Sequence, residues 1–270
     1  MHANPIIPWL GGKRRLAAKL FPLFPPHECY VEVFCGGGAM YFLRPNPAPV
    51  EVLNDINGEL VNLYRVVQNH LDEFVRQFRW ALSSRQMFKW AQASAPASLT
   101  DIQRAARFFY LQQHAFGARI SGQTFGTATT APTINLLRVE EKLSAAHLRL
   151  AGGTTVENLP WEECIKRYDR PHTFFYLDPP YWQAEGYGVP FDWSQYERIS
   201  STMRSCKGKV MLSINAHPDI RSCFAGLAAR ELSIKYSVGA NNGKPKQTVE
   251  LVIMNRSEEH TSELQSRQYL

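Results

Sequence analysis

Cys29-Tyr30-Val31-Glu32-Val33-Phe34-Cys35-Gly36-Gly37-Gly38-Ala39-Met40-Tyr41-Phe42-Leu43 decides the fold class of this 270-residue chain. Residues 29–34 are a short, mostly apolar run, the pattern of a buried strand. Three glycines follow, and then the helix-like Met40–Leu43. A strand, a glycine-rich turn and a helix start bring backbone close to a nucleotide-like ligand in α/β proteins. Glycine permits the approach because it lacks a Cβ and tolerates positive φ. The next strand, Val50–Leu53, closes on Asn54-Asp55. An acid ending the second strand, about 20 residues past the turn, can accept hydrogen bonds from ribose hydroxyls. A glycine turn alone is weak evidence; turn and acid at this spacing together favour a nucleotide-like ligand.

Downstream, the apolar run Thr173–Leu177 ends in Asp178-Pro179-Pro180-Tyr181. Two prolines fix φ, donate no N–H and end the strand in a stiff turn. The carbonyls there, the Asp178 carboxylate and the flat Tyr181 ring make a site for a planar group carrying N–H₂, such as the amine of adenine. The plainer alternative is a strand followed by a proline-rich loop. Upstream, Pro8-Trp9-Leu10-Gly11-Gly12-Lys13-Arg14-Arg15 sets an aromatic ring and three cations ahead of the first strand. It is either a basic surface turn or part of a pocket for a ligand bearing a carboxylate. It is not a phosphate-cradling loop, because Arg14 stands where Ser or Thr must follow the lysine.

These three segments, in this order, resemble the Dam-like, D12-class DNA adenine-N6 methyltransferases of bacteria and their phages. Trp9-Leu10-Gly11-Gly12-Lys13 is similar to the family's N-terminal cofactor motif. Phe34-Cys35-Gly36-Gly37-Gly38 is similar to its Phe-x-Gly-x-Gly motif, with one more glycine than the pattern requires. Asp178-Pro179-Pro180-Tyr181 is similar to its catalytic motif, and Asp55 falls at its ribose-binding acid. The resemblance covers roughly residues 5–255 and rests on the ordered combination.

The resemblance implies S-adenosylmethionine as methyl donor, with no metal, and a flipped-out adenine in double-stranded DNA as target. Trp9, Lys13, Phe34, Gly36, Gly38 and Asp55 would hold the cofactor. Asp178 would border both sites: with the Pro179 carbonyl it would accept from the N6 amine, while Pro180 stiffens the turn and Tyr181 stacks on the base. Asn158, after a short strand, is a candidate contact to the cofactor's adenine. The implied fold is α/β: a doubly wound, mostly parallel seven-stranded sheet of Rossmann-like methyltransferase type. Its strands are expected near 29–34, 50–53, 154–157, 173–177, 209–214, 231–238 and 248–254. Residues 1–59 and 151–255 would form the catalytic domain. Residues 60–150 would form a small inserted helical and hairpin domain for target recognition.

Within the insertion, Glu59–Trp80 and Ile102–His114 have helical apolar spacing and read as core. Phe116–Asn135 loses that period, is rich in Gly and Thr, and reads as a hairpin or long surface loop. It is either a plain connection or the segment that reads DNA. Arg119, Gln123 and Asn135 suit base edges; Thr124, Thr127, Thr129 and Thr130 suit phosphates. Lys142, Arg149 and Lys13-Arg14-Arg15 are further phosphate candidates. Trp182, Tyr187 and Phe191 follow the catalytic strand as a candidate lid, though packing explains them equally well.

A net charge of +6 suits a polyanionic partner without requiring one. The five cysteines include no Cys-x-x-Cys pair, which argues against a zinc site and fits a reducing cytoplasm. No stretch approaches the roughly 20 apolar residues needed to span a bilayer, and the expectation is a monomer without a signal peptide. Residues 256–270 resemble the translated sequence of a library adapter and are set aside as a non-native tail. Two rival functions stay open at this level: a methyltransferase acting on an RNA base or a protein glutamine, and a non-catalytic DNA-binding relative. Asp178 and the long Gly/Thr-rich insertion weigh against the first, and the intact Asp178–Tyr181 stretch and glycine turn against the second. The family suggests GATC as the recognised site, which the 116–135 segment does not itself encode.

Overall fold

A computed structural model describes residues 3–127, 129, 134–184, 188, 190–236 and 246–256. Thr130, Tyr187 and residues 257–270 of the tail lie outside the described residues. Seven strands, β1 (Cys29–Glu32), β2 (Val50–Asn54), β3 (Thr155–Glu157), β4 (Thr173–Leu177), β5 (Lys209–Asn215), β6 (Ala228–Tyr236) and β7 (Lys246–Met254), form one sheet in the order β3-β2-β1-β4-β5-β7-β6. The β3-β2-β1-β4-β5 stretch is parallel throughout. Strand β7 runs antiparallel to both β5 and β6. This is the doubly wound, mostly parallel seven-stranded sheet expected from the sequence.

The sheet is covered on both faces, as parallel sheets must be. Side chains alternate along each strand, so β1 and β4 feed two separate cores. Tyr30, Phe174 and Tyr176 face one; Val31, Phe175 and Leu177 face the other. The second core is closed by Trp161, Cys164 and Ile165 of helix Trp161–Tyr168, and by Tyr196, Ile199 and Met203 of helix Trp193–Ser205. The first includes Tyr41 and Phe42 of helix Ala39–Leu43 and continues without a break into Phe74, Phe78, Phe88 and Phe109 of the 60–150 region.

Helix Gly58–Asn69 begins where the Asn57 side chain accepts the backbone N–H groups of Glu59 and Leu60. It packs against helices Asp101–His114 and Val139–Ala151. The helical run expected over 59–80 is broken at His70, whose φ of −139° is not helical; a new helix, Leu71–Arg76, restarts with Asp72 and Glu73 in its first turn. Among the described residues, no helix is long and apolar enough to cross a membrane.

The order around β1 matters most for function. The chain turns outward in opposite directions from β1 and β4, so this is the switch point at which doubly wound sheets bind ligands beyond the carboxyl ends of their strands. Glu32 is in register with Tyr176, and Val33 N–H donates to the Tyr176 carbonyl (3.0 Å). The residues that follow each strand, the glycine turn and Asp178, therefore emerge side by side.

Candidate active site

A cleft of about 1020 Å³ opens at this switch point and is lined by Trp9, Glu32, Gly36, Asp55, Asp178 and Pro180, among others. The glycine turn forms one wall. Gly36 and Gly38 have φ of +47° and +64°, a region that L side chains rarely adopt. Gly37 lies under Trp9: a Cβ there would come within 2.9 Å of the Trp9 Cβ and 3.3 Å of the Ile7 carbonyl. The extra glycine, Gly37, is thus demanded by the close approach of the Trp9 Cβ and the Ile7 carbonyl to the turn. Gly36 N–H donates to Asp55 Oδ2 (2.8 Å), and the Tyr64 hydroxyl donates to the Gly36 carbonyl (2.6 Å).

Asp55 also accepts from Asn57 N–H at Oδ1 (2.9 Å). Burial raises its pKa, against the pull of the Asn57, Gly36 and Ile56 N–H groups. Asn158 donates to the Asp55 backbone carbonyl (2.7 Å), which ties it beside Asp55 but not among the residues that line the cleft. Phe34 lines the cleft and meets Phe191 edge-on and Trp161 in a tilted contact, with ring centroids 5.8 and 6.4 Å away.

The opposite wall is the Asp178–Tyr181 turn, and three side chains fix its shape. Tyr196 donates its hydroxyl to the Pro180 carbonyl (2.7 Å). Asn215 both accepts from the Trp182 N–H and donates to the Trp182 carbonyl, each at 3.1 Å. Lys13 is buried beneath: its ammonium reaches Asp178 Oδ1 (2.5 Å), the Tyr181 hydroxyl (2.8 Å) and, as an ion pair, Glu250 Oε1 (3.4 Å). Burial alone would depress Lys13, but Asp178 and Glu250 override it and hold its pKa well above the ordinary lysine value. Burial pushes the Asp178 carboxyl up to about 6; Lys13 opposes this and Glu250 adds to it.

Two buried acids of this site went unnoticed in the sequence. Glu32 at the end of β1 takes the Tyr30 hydroxyl and the Tyr41 N–H on one oxygen, both at 2.9 Å, and burial lifts its pKa to about 8. Glu250 on β7 accepts the Tyr181 hydroxyl at 2.8 and 2.6 Å. The available signal was an acid inside an otherwise apolar strand, Tyr30-Val31-Glu32-Val33 and Val249-Glu250-Leu251, since a buried carboxylate must find partners.

The cleft reaches the 116–135 segment through Ala115, Ala118 and Ile120. That segment starts as a hairpin closed by an Ala115–Phe125 bridge, with Phe116 N–H donating to the Thr124 carbonyl (2.8 Å). Arg119, Thr124 and Asn135 are exposed. Gln123 instead turns inward and donates to Gln112 Oε1 (3.0 Å) and the Arg119 carbonyl (2.8 Å), bracing the hairpin. Arg149 does not fit the phosphate contact expected of it. It is buried and paired with Glu51, its guanidinium lying over the Tyr41 ring. Lys13 is likewise turned into the active site, whereas Arg14 and Arg15 stay exposed. His217 caps the helix Pro218–Cys223, its side chain accepting from the Asp219 N–H.

The family model for D12 class N6 adenine-specific DNA methyltransferases matches residues 9–237. A type II methyltransferase, M.CviBI, of Paramecium bursaria Chlorella virus NC1A is 26% identical over 261 residues, covering 93% of this chain and 99% of that protein. The DNA adenine methylase of Haemophilus influenzae is 24% identical over 269 residues, covering 92% of each. The DNA N-6-adenine-methyltransferase of Escherichia phage P1 is 29% identical over 256 residues, covering 86% of this chain and 33% of that longer protein. A glycine turn and an Asp-Pro-Pro-Tyr turn facing one cleft, with a family match across most of the chain, lead to one conclusion: the chain belongs to the D12 class of N6 adenine-specific DNA methyltransferases and methylates adenine in DNA at specific sites.

Proposed function

We propose that the cleft seats S-adenosylmethionine against the glycine turn and receives the target adenine against the Asp178–Tyr181 turn. One observation carries this: the two turns follow paired parallel strands and line the same cavity. The residues present suit such a cofactor in size and chemistry. The cavity is of small-molecule dimensions. Asp55 offers carboxylate acceptors for ribose hydroxyls, Trp9 and Phe34 offer aromatic walls, and Asn158 braces the Asp55 backbone. When bound, the cofactor supplies a methyl group activated by its positive sulfur.

The chain's own residues then do the rest. The N6 amine of adenine is a poor nucleophile because its lone pair is delocalised into the ring. Asp178 and the Pro179 carbonyl accept its N–H groups, favour a pyramidal nitrogen and stabilise the positive charge that develops there. Tyr181 offers its ring to the base, which must leave the stack at a cost of a few kcal/mol. Lys13 keeps Asp178 fixed from below. Residues 1–59 and 151–255 make up the catalytic part, and the helices and hairpin of 60–150 make up the part that engages DNA. Exposed Arg119 is the foremost base-reading candidate there, with Thr124 and Asn135 as nearby polar contacts. We further infer a monomer working in the cytoplasm without a metal.

The decisive assay supplies methyl-labelled cofactor and duplex DNA free of adenine methylation, then digests the DNA to nucleosides. Label in N6-methyladenine supports these roles; label confined to protein or to RNA overturns them. Long-read mapping of methylated positions in a methylase-deficient host identifies the recognised sequence and tests whether it is GATC.

Arg119→Ala is expected to raise the KM for DNA about tenfold, on the scale of ~1–3 kcal/mol for a lost base contact. It should also relax discrimination at one base position. Unchanged specificity in a methylation map would assign Arg119 to phosphate contact or to none.

A second expectation concerns Glu32. With its pKa at about 8 it is mostly protonated at neutral pH, and it stands on the cleft wall. A cation seated in the cleft favours the ionised form. Binding of the sulfonium cofactor should therefore release a proton, and affinity should rise as pH climbs toward about 8. Titration calorimetry in two buffers of different ionisation enthalpy measures the release. Glu32→Gln should abolish it, and no release in the parent protein would remove Glu32 from the cofactor site.

A further inference from the structure

We propose that Glu250, on the antiparallel strand β7, is a positioning residue for methyl transfer: it shares the Lys13 ammonium with Asp178 and holds the Tyr181 ring through its hydroxyl. The inference rests on the assignment of Asp178 and Tyr181 to the target base made above. Glu250 is only 1% exposed and lies on a strand three places from β1 in the sheet, paired with Asn215 on β5 and Leu232 on β6. A carboxylate in such a place is costly unless fully engaged. Both its oxygens are within hydrogen-bond reach of the Tyr181 hydroxyl (2.8 and 2.6 Å), and one lies 3.4 Å from Lys13 Nζ. Lys13 is thus flanked by two carboxylates.

The arrangement has a chemical consequence. With Lys13 as its sole neighbour, Asp178 would be strongly neutralised and a weaker acceptor for the amine. Glu250 draws on the same ammonium and repels the Asp178 charge, leaving Asp178 more basic. The groups that face Asp178 are Lys13 from the N-terminal turn, Tyr176 on β4, Ser213 on β5 and Glu250 on β7; Glu32 on β1 feels its charge. At the same time, the ammonium lies 4.6 Å from the Tyr181 ring centroid while Glu250 anchors the hydroxyl, so the ring is held at its edge and over a face. One buried acid therefore sets both the strength of the acceptor and the orientation of the stacking platform.

Glu250→Gln in the full chain tests this, by single-turnover methyl transfer at saturating cofactor and DNA from about pH 5 to 9. The rate is expected to fall about tenfold with KM values for cofactor and DNA close to the parent's. The acid limb of the pH profile should move down by about one unit, because a like charge beside Asp178 is gone. Tyr181→Phe should lower the rate similarly while leaving that limb in place. The double variant should be no slower than the slower single, since the Tyr181 hydroxyl acts through its bond to Glu250, which Glu250→Gln already disturbs.

A Glu250→Gln protein with the parent's rate and pH limb, altered only in melting temperature, overturns the proposal; so does full additivity in the double variant. If Glu250→Gln folds poorly, Glu250→Asp takes its place: a slower rate with an unmoved limb supports the proposal, and the parent's rate overturns it. Asp178→Ala separates the two levels. Undiminished transfer by Asp178→Ala would sink the active-site assignment itself, whereas an inactive Asp178→Ala beside an unaffected Glu250→Gln sinks only the role of Glu250.

Discussion

Asp178→Ala is expected to lower the rate of methyl transfer by about 10²–10³-fold at saturating cofactor and DNA, the range seen when a single group stabilising transition-state charge is removed. The upper end corresponds to about 4 kcal/mol of barrier. The reason is geometric. Asp178 Oδ1 is engaged by Lys13 at 2.5 Å, so the acceptor capacity left over is fixed in direction at the cleft wall. Water that enters in its place has no such alignment. The fold should survive, because Glu250 remains as a counter-ion for the buried ammonium and β4 keeps its place between β1 and β5. The parent enzyme should lose activity as pH falls through about 6, where Asp178 takes up a proton and its carboxyl oxygen becomes a donor. Asp178→Asn keeps the shape but turns one acceptor oxygen into an N–H₂ donor, which faces either Lys13 or the amine with another donor. Its rate should be nearly as low, with that limb absent. A quenched-flow pH series checks both variants, and an Asp178→Asn protein retaining the limb would move the titration to another group.

The sheet was legible in the sequence because its strands are buried on both faces and bounded by strong breaks. Phe174, Phe175, Tyr176 and Leu177 are all essentially inaccessible, and the prolines after them mark the end. The edge strand was less clear: β6 starts at Ala228, three residues before the expected 231, because Ala228-Ala229-Arg230 carries no alternation. The split at His70 was missed for a different reason. Phe74 and Phe78 keep helical spacing with Leu63 and Val67 across the break and lie in the same core, so apolar period alone cannot reveal it.

At the site, the residues that carry motifs were legible and the ones that support them were not. Trp9, Gly36, Asp55 and Asp178 lie in short, chemically odd stretches, and all four line the cleft. Lys13 reads in the sequence as part of either a basic surface turn or a ligand pocket, whereas its ammonium meets the protein's own carboxylates. Such pairing joins the N-terminal turn, the β4 turn and β7, and no local spacing encodes it. Gln123 illustrates the converse. Its amide suits adenine, but Gln112, fully buried and bonded to the Pro8 and Ala118 carbonyls, provides a competing partner beneath the hairpin.

Gly36→Ala is expected to weaken cofactor binding at least about tenfold and to lower the melting temperature by several degrees. Two costs add. At φ +47° an L residue is strained by about 1–2 kcal/mol. Its Cβ would also run into the Trp9 ring, 2.7 Å from Cδ1 and nearer still to Nε1. Backbone cannot yield easily, because Gly36 is tied on one side to Asp55 and on the other to Tyr64. The indole must therefore move, opening the wall of the cleft and loosening Asp55, the acid proposed to take the ribose hydroxyls. For a chain of this size, ~1 kcal/mol corresponds to roughly 2–4 °C, so strain and displacement together place the shift near 5 °C or more. Trp9→Ala provides the diagnostic. If the clash is the main cost, Gly36→Ala in a Trp9→Ala background should lose only the strain, and the two changes should be markedly non-additive in melting temperature. If the losses simply add, Trp9 does not rest on the turn and the role of Gly37 as its seat fails with it. Calorimetric titration of the cofactor into the four proteins of this cycle separates the effect on the pocket from the effect on the fold.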